Sequence, residues 1–341
     1  MRWDTNILNV CPLCEQGFEI TDDNSFMRVL RAHKDDAQTI GYIHYEMCPK
    51  CGIVFQWNMP TDTTLRDYYK DLYRRGEKEP NQKDWGLQVF RARVLFEFWE
   101  DVVGEAPASM IDIGSSAGAL GGYFRNEGGT EVAVGVEYGE WREWSKKYLN
   151  EAYASMDDVP DELYHKFDMV AIIHTLEHVT DLAKTVLQLR RLLNSTGKLM
   201  VEVPNLHRPV FGSDIENDEM CKRAIARKSI FQYPHTYAFT YHTLETLLNL
   251  AGFNIIARHP MIHNILVIAE LAAPKYIIRK PHPFFKQKLE LLWRLYGNSK
   301  FLRYWVVSGY RSFSERRADR LFNAIQKLRS KWHLLHGGIR S

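Results

Sequence analysis

Along the chain the apolar positions change period several times, and each change marks an element. Over residues 85–103, WGLQVFRARVLFEFWEDVV sets Val89, Val94, Leu95, Phe98 and Val102 at helical spacing with charges between them, which predicts a helix packed on a core. ASMIDIGSSAGALGGYF then changes period: an apolar strand through Met110, Ile111 and Ile113, a Gly- and Ser-rich turn, and a helix from about Ala117. TEVAVGVEYGEW gives a second apolar strand, and WREWSKKYL a returning helix. A third strand over 169–173 leads through HTLEH into a helix from about Thr180, with Leu182, Val186, Leu189 and Leu193 on one face, ending near Gly197. A strand over 199–203, a helix over 243–251 capped by Gly252, and an antiparallel pair FNIIARH and HNILVIAEL complete the pattern. Strands alternating with helices predict an α/β fold on a largely parallel sheet.

Length and composition enlarge this picture. A chain of 341 residues, 45% hydrophobic, buries one α/β core and leaves enough for smaller modules at its ends. No window approaches the run of about 18 apolar residues that spans a bilayer. The opening MRWDTNILNVCPLC has no uninterrupted apolar stretch, so no signal peptide is expected and the cytoplasm is the expected compartment. Four of the five cysteines form two C-x-x-C pairs, Cys11/Cys14 and Cys48/Cys51, 33 residues apart. Two short turns that each present a pair of thiolates predict a closed tetrahedral zinc site, structural in role, within a small ribbon. The alternatives are disulfides, disfavoured in a cytosolic chain, and a redox pair, which lacks a thioredoxin-like context. Cys221 reads as an ordinary buried thiol.

Charge is unevenly divided. Residues 275–341 hold 16 Lys and Arg against Glu290, Glu315 and Asp319, a balance of +13 that leaves −11 on the preceding 274 residues of a chain whose total is +2. Leu289, Leu292 and Leu295 lie among Lys286, Lys288 and Arg294. A second helix is predicted from the capping box beginning at Ser312, with Leu321, Phe322, Ile325, Leu328, Trp332 and Leu335 on one stripe. Such a basic amphipathic extension suits an anionic membrane surface at the inner face of the membrane. Alternatively its stripe packs on the body or on a second subunit in a homo-oligomer. Nucleic acid is disfavoured because no recognition motif accompanies the charge.

The turn after the first strand of the body decides which nucleotide to expect. A dinucleotide fingerprint needs a glycine where this chain has Ser116. The string Asp112, Ile113, Gly114, Ser115, Ser116, Ala117, Gly118 instead resembles the D-x-G-x-G-x-G turn of class I S-adenosylmethionine-dependent methyltransferases, with Ser116 replacing the middle glycine. That resemblance implies a Rossmann-like seven-stranded sheet with helices on both faces, the turn wrapping the methionine part of the cofactor. Glu137, 19 residues beyond Gly118 at the tip of the next strand, would accept the ribose hydroxyls. Tyr138 beside it is a further cofactor-binding candidate, and the resemblance places Met156 and Asp157 at the adenine. CGIVFQWNMPTDTTLRDYY is similar to the linker of methyltransferases with an amino-terminal zinc ribbon, and His235, Tyr237 and Phe239 resemble the E-H-x-x-x-F signature of that subgroup, with Pro234 in place of its glutamate. The expected organisation is a ribbon over 1–60, a linker over 61–84, the methyltransferase domain over 85–273 and the basic helical extension over 274–341.

HTLEH, residues 174–178, also matches H-x-x-E-H, the inverted zinc-protease motif. That motif needs both histidines on one helix face, whereas here they sit on the exit from a strand. In the methyltransferase reading the same residues form the loop that closes over the cofactor, with His174 and Leu176 toward it. The subgroup often acts on sugars, so the expected acceptor is a carbohydrate or nucleotide-sugar hydroxyl, with C-methylation of a deoxysugar nucleotide as the alternative. The [DN]-P-P-[YF] loop of nucleobase amino-methylases is missing. A hydroxyl acceptor calls for a general base near pH 7, and His178 and His235 are the candidates, against the alternative that each is structural. A binding protein that has kept the fold is the rival from another class.

Overall fold

In the computed structural model, residues 4–17, 27–32, 39–73, 76–206, 234–260, 264–278 and 281 are described. The chain opens on an antiparallel module in which β1 (Thr5–Ile7) pairs with β5 (Asn58–Pro60). Between them β2 (Met27–Ala32), β3 (Thr39–Met47) and β4 (Val54–Gln56) form a meander, so the alternating runs between the C-x-x-C pairs are strands as expected. A short helix, α1 (Asp62–Asp67), is capped by Thr61, and a wide helical turn over Tyr68–Leu72 follows. α2 (Gln82–Val103) starts slightly ahead of its apolar period, because Asn81 accepts the Asp84 amide as N-cap. Gly104, at φ 89, stops it in the left-handed conformation.

The body runs β6 (Ser109–Ile113), α3 (Ala119–Gly128), β7 (Val132–Val136), α4 (Trp141–Ser145), β8 (Glu151–Tyr153), β9 (Phe167–Ile173), α5 (Leu182–Leu192), β10 (Leu193–Pro204), β11 (Tyr237–Ala238), α6 (Tyr241–Leu250), β12 (Phe253–Arg258) and β13 (Asn264–Leu271). Seven strands form one sheet in the order β12-β13-β10-β9-β6-β7-β8. The five from β10 to β8 are parallel, and β13 runs antiparallel between β10 and β12. This is the expected Rossmann-like methyltransferase sheet. Side chains alternate across it. Ile111, Ile113, Val170 and Ile172 join Val186 and Leu189 of α5 and Leu244 of α6 in one apolar cluster. Met110, Met169 and Ala171 meet Leu95 and Trp99 of α2 and Phe124 of α3 in another. Helices therefore cover both faces, which is why these strands read as continuous apolar runs.

Three features differ from the sequence reading. α5 ends at Leu192 instead of near Gly197, because Leu193 already pairs with Phe167 and the Asn194 side chain makes a turn that accepts from the Thr196 amide and donates to Asp168. The returning helix expected over WREWSKKYL is only the short α4; beyond it the chain turns so that Leu149 packs against Gly118 and Gly121. The third difference involves β11, which lies in the body's sequence but pairs with β4, giving the amino-terminal sheet the order β11-β4-β3-β2. Module and body therefore share a sheet, and Phe55 and Trp57 belong to the same apolar cluster as Ile113 and Val203. Cys221 and the predicted helices of the basic extension lie outside the described residues. Among the described residues no helix is long and apolar enough to cross a membrane.

Candidate active site

The strand order reverses between β6 and β9, and open α/β sheets bind ligands outside the carboxyl ends of the strands at such a point. Two loops meet there. The turn after β6 holds Gly114 at φ 81, Ser116 at φ 52 and Gly118 at φ 82. A Cβ on Gly114 would stand 2.0 Å from Thr175 Oγ1 on the loop after β9, and one on Gly118 would stand 2.9 Å from Ser145 Cβ. Ser116 takes the left-handed conformation without being glycine, at a cost of about 1 kcal/mol. Its amide donates to Glu137 Oε2 at 2.8 Å, and the Gly139 amide donates to Glu137 Oε1 at 2.7 Å. Each of these oxygens keeps a lone pair for a further donor.

Asp112 and Ser115 are buried beneath the turn, and Asp112 Oδ1 and Ser115 Oγ make no hydrogen bond among the described residues. Burial, followed by the charge of Glu137, pushes the Asp112 carboxyl up to about 7. Orphaned buried polar atoms at the carboxyl end of β6 fit a polar ligand that arrives to satisfy them. Tyr138 is exposed next to Glu137, Met156 is half-buried, and Leu176 is fully buried. Asp157 is exposed, its carboxylate held by Gln188 Nε2 at 2.8 Å and Lys184 Nζ at 3.4 Å; the Gln188 hydrogen bond, helped by Lys184, lowers its pKa against the opposing effect of burial.

HTLEH lies on no long helix: His174 has φ 49, and Leu176 to His178 form one tight turn before α5. His174 sits between two buried carboxylates, with Nδ1 3.3 Å from Glu177 Oε1 and Nε2 3.2 Å from Glu202 Oε1. Burial opposes its positive charge, but Glu177 and Glu202 prevail and raise it to about 9. Arg91 lies 3.8 Å from the other oxygen of Glu202. Burial likewise opposes ionisation of Glu177, yet His178, His174 and His235 around it hold its carboxyl down to about 2. His178 differs from His174: burial outweighs Glu177 and keeps it below the ordinary imidazole value. The two histidines of one pentapeptide thus carry opposite shifts.

His235 comes from the segment before β11 and meets this loop. Its ring centroid is 4.6 Å from that of His178, and ligand atoms of Glu177, His178 and His235 all lie within 4.8 Å of one another. Thr236 locks the two segments together, its amide donating to the Glu177 carbonyl at 2.8 Å and its hydroxyl to the Val179 carbonyl at 2.6 Å. Tyr69, from the region read as linker, packs edge-on to His178 with centroids 6.0 Å apart and feels the charges of Glu177 and Glu137. No periodicity in TLRDYYK singles it out; only the folding back of the segment after α1 brings it to the cleft.

Away from the cleft, Cys11, Cys14, Cys48 and Cys51 converge, all buried. Cys11 Sγ is 3.6 Å from Cys51 Sγ, and Cys14 Sγ is 3.5 Å from Cys48 Sγ. Four sulfurs at tetrahedral zinc distance would be separated by about 3.8 Å. Each C-x-x-C turn closes on a left-handed residue, Glu15 at φ 57 and Gly52 at φ 80. The donor set and spacing fit a closed zinc site.

The sequence profile of the methyltransferase domain family matches residues 87–258, half of the chain. Among solved structures, the chain is similar to 1,6-didemethyltoxoflavin-N1-methyltransferase of Burkholderia thailandensis, with 14% identity, 72% of this chain and 99% of that one covered, and a TM-score of 0.44. It is also similar to magnesium protoporphyrin IX methyltransferase of Synechocystis, with 15% identity, 61% of this chain and 99% of that one covered, and a TM-score of 0.42. No curated protein matches it. With that profile lying over the seven-stranded sheet and its glycine turn, the chain belongs to the methyltransferase domain family and is an S-adenosylmethionine-dependent methyltransferase.

Proposed function

We propose that the enzyme O-methylates a hydroxyl of a carbohydrate, carried on a glycan end or on a nucleotide- or lipid-linked intermediate. The observation that carries this reading is the gathering of Glu177, His178 and His235 beside the Gly114 turn. A sugar hydroxyl must lose a proton as it attacks, and imidazoles beside the donor supply a place for it. In the reaction the acceptor oxygen forms a bond to the methyl carbon as the carbon–sulfur bond breaks, and a neutral thioether leaves. The protein's main contribution is alignment of the two reactants.

On this reading Asp112, Gly114, Ser115, Ser116 and Gly118 surround the methionine part of the cofactor, and Glu137 takes the ribose hydroxyls. Tyr138, Met156 and Asp157 border the adenine, and His174 and Leu176 support the loop from behind. Cys11, Cys14, Cys48 and Cys51 hold a structural zinc ion that keeps the ribbon folded. The basic extension over 275–341 brings the enzyme to an anionic membrane surface on the cytoplasmic side, where lipid-linked glycans are assembled.

A labelled-methyl transfer screen against nucleotide sugars and lipid-linked glycans tests the acceptor class. Label on a sugar oxygen is the expected result. If a protein that binds S-adenosylmethionine labels none of them, the carbohydrate reading falls. His178→Ala and His235→Ala should lower turnover while leaving cofactor affinity near normal.

A further inference from the structure

We propose that Glu177, His178 and His235 form a second metal site, distinct from the four cysteines, that takes a divalent transition-metal ion in the acceptor cleft. Two imidazoles and one carboxylate are the protein ligands of open metal sites, which leave positions free for water or substrate oxygen. Their ligand atoms already lie within 4.8 Å of one another. Metal–ligand bonds of roughly 2.1 Å would draw these atoms closer together around one ion.

Two further observations support the assignment. Glu177 is 1% exposed; its Oε1 faces His174 Nδ1 at 3.3 Å and His178 Nε2 at 3.7 Å, and its Oε2 makes no hydrogen bond among the described residues. A buried carboxylate in that condition has ligand capacity to spare. The supporting shell is also in place: His174 Nδ1 lies 3.3 Å from Glu177 Oε1, Thr236 holds the Glu177 carbonyl, and Tyr45 and Gln56 hold the carbonyl of His235. Ligands fixed by outer partners in this way are characteristic of metal centres. The cluster adjoins Thr175, whose hydroxyl fills the space over Gly114.

The ion's role rests on the hydroxyl-acceptor reading: bound to the metal, an acceptor hydroxyl loses its proton near neutral pH, and His178 and His235 then serve as ligands. Occupancy itself depends on no substrate, so it is tested separately. Tag-free, full-length protein is loaded with zinc or cobalt, desalted, and its metal counted by mass spectrometry. Two equivalents are expected. Glu177→Gln and His235→Ala should each remove one, while the intense thiolate charge-transfer absorption of cobalt at the cysteines persists, which also reports that the variants are folded. A single equivalent in the wild type, or a second equivalent indifferent to both substitutions, would overturn the site and leave a hydrogen-bonded His–Glu–His cluster. A failed sugar screen with two equivalents bound would instead count against the acceptor reading alone.

Discussion

Gln56 Nε2 donates to the main-chain carbonyl of His235 at 2.6 Å, and the Tyr45 hydroxyl donates to the same oxygen at 2.7 Å. The donors come from β4 and β3 of the amino-terminal sheet, the acceptor from the segment that carries an imidazole into the cleft. The Gln56 amide adds a bond to the Thr236 carbonyl at 2.8 Å. The amino-terminal sheet thus braces the segment that carries His235.

Removing that brace should impair catalysis before it impairs cofactor binding. A buried carbonyl left unsatisfied costs about 1 to 3 kcal/mol. Gln56→Ala alone should fall at the low end because Tyr45 remains, and Gln56→Ala with Tyr45→Phe should lose more than the sum of the two. Urea unfolding gives the stability loss. Turnover should drop in the double variant with S-adenosylmethionine affinity near the wild-type value; unchanged turnover in a destabilised double variant would mean that His235 needs no such support.

Loss of the zinc ion proposed for the four cysteines should act along the same route. β4 follows directly from the second C-x-x-C turn and pairs with β11 through Val54 and Phe55. Cys48→Ser should therefore release one metal equivalent and lower turnover, while calorimetry still detects cofactor binding by the seven-stranded sheet. Full activity in a metal-depleted variant would show the ribbon to be dispensable for the site.

Gly114 faces the opposite loop so closely that no side chain fits. Gly114→Ala sets a Cβ against Thr175 Oγ1 and keeps a left-handed φ of 81. The expected outcome is loss of measurable cofactor binding. Adding Thr175→Ala relieves the collision but leaves a backbone penalty of about 1 to 2 kcal/mol, so binding should return only in part. Complete recovery would mean that the left-handed conformation is not needed.

If Asp112 faces the cofactor as proposed, cofactor binding should depend on pH. Its pKa of about 7 lies above the ordinary value of 3.8, so the folded protein holds this proton more tightly than the unfolded chain does. Stability of the cofactor-free protein should therefore decline as pH rises from about 4 through 7. S-adenosylmethionine carries positive charge, and an ionised carboxylate favours it. Affinity should rise with pH up to about 7 and then level off. Asp112→Asn should flatten the profile in calorimetric titrations, and an unaltered slope in that variant would assign the dependence to another group.

Much of this molecule could be read from residues that lie close together in the chain. The two C-x-x-C turns, the strand, glycine turn and helix around Gly114, and the apolar runs of β6 and β9 each depend on neighbours within a few positions, where backbone sterics and periodic burial leave a pattern. Tertiary structure decided the rest. Tyr45 reaches His235 across 190 positions, and β11, although it follows β10 in sequence, pairs with β4. Tyr69 folds back from the segment read as a linker onto His178. The contrast between His174 and His178 has the same origin. Both stand in one pentapeptide, but Glu202, 28 positions away from His174, and the depth at which each ring is buried set their protonation, and long-range charge and burial leave no periodic trace in a sequence.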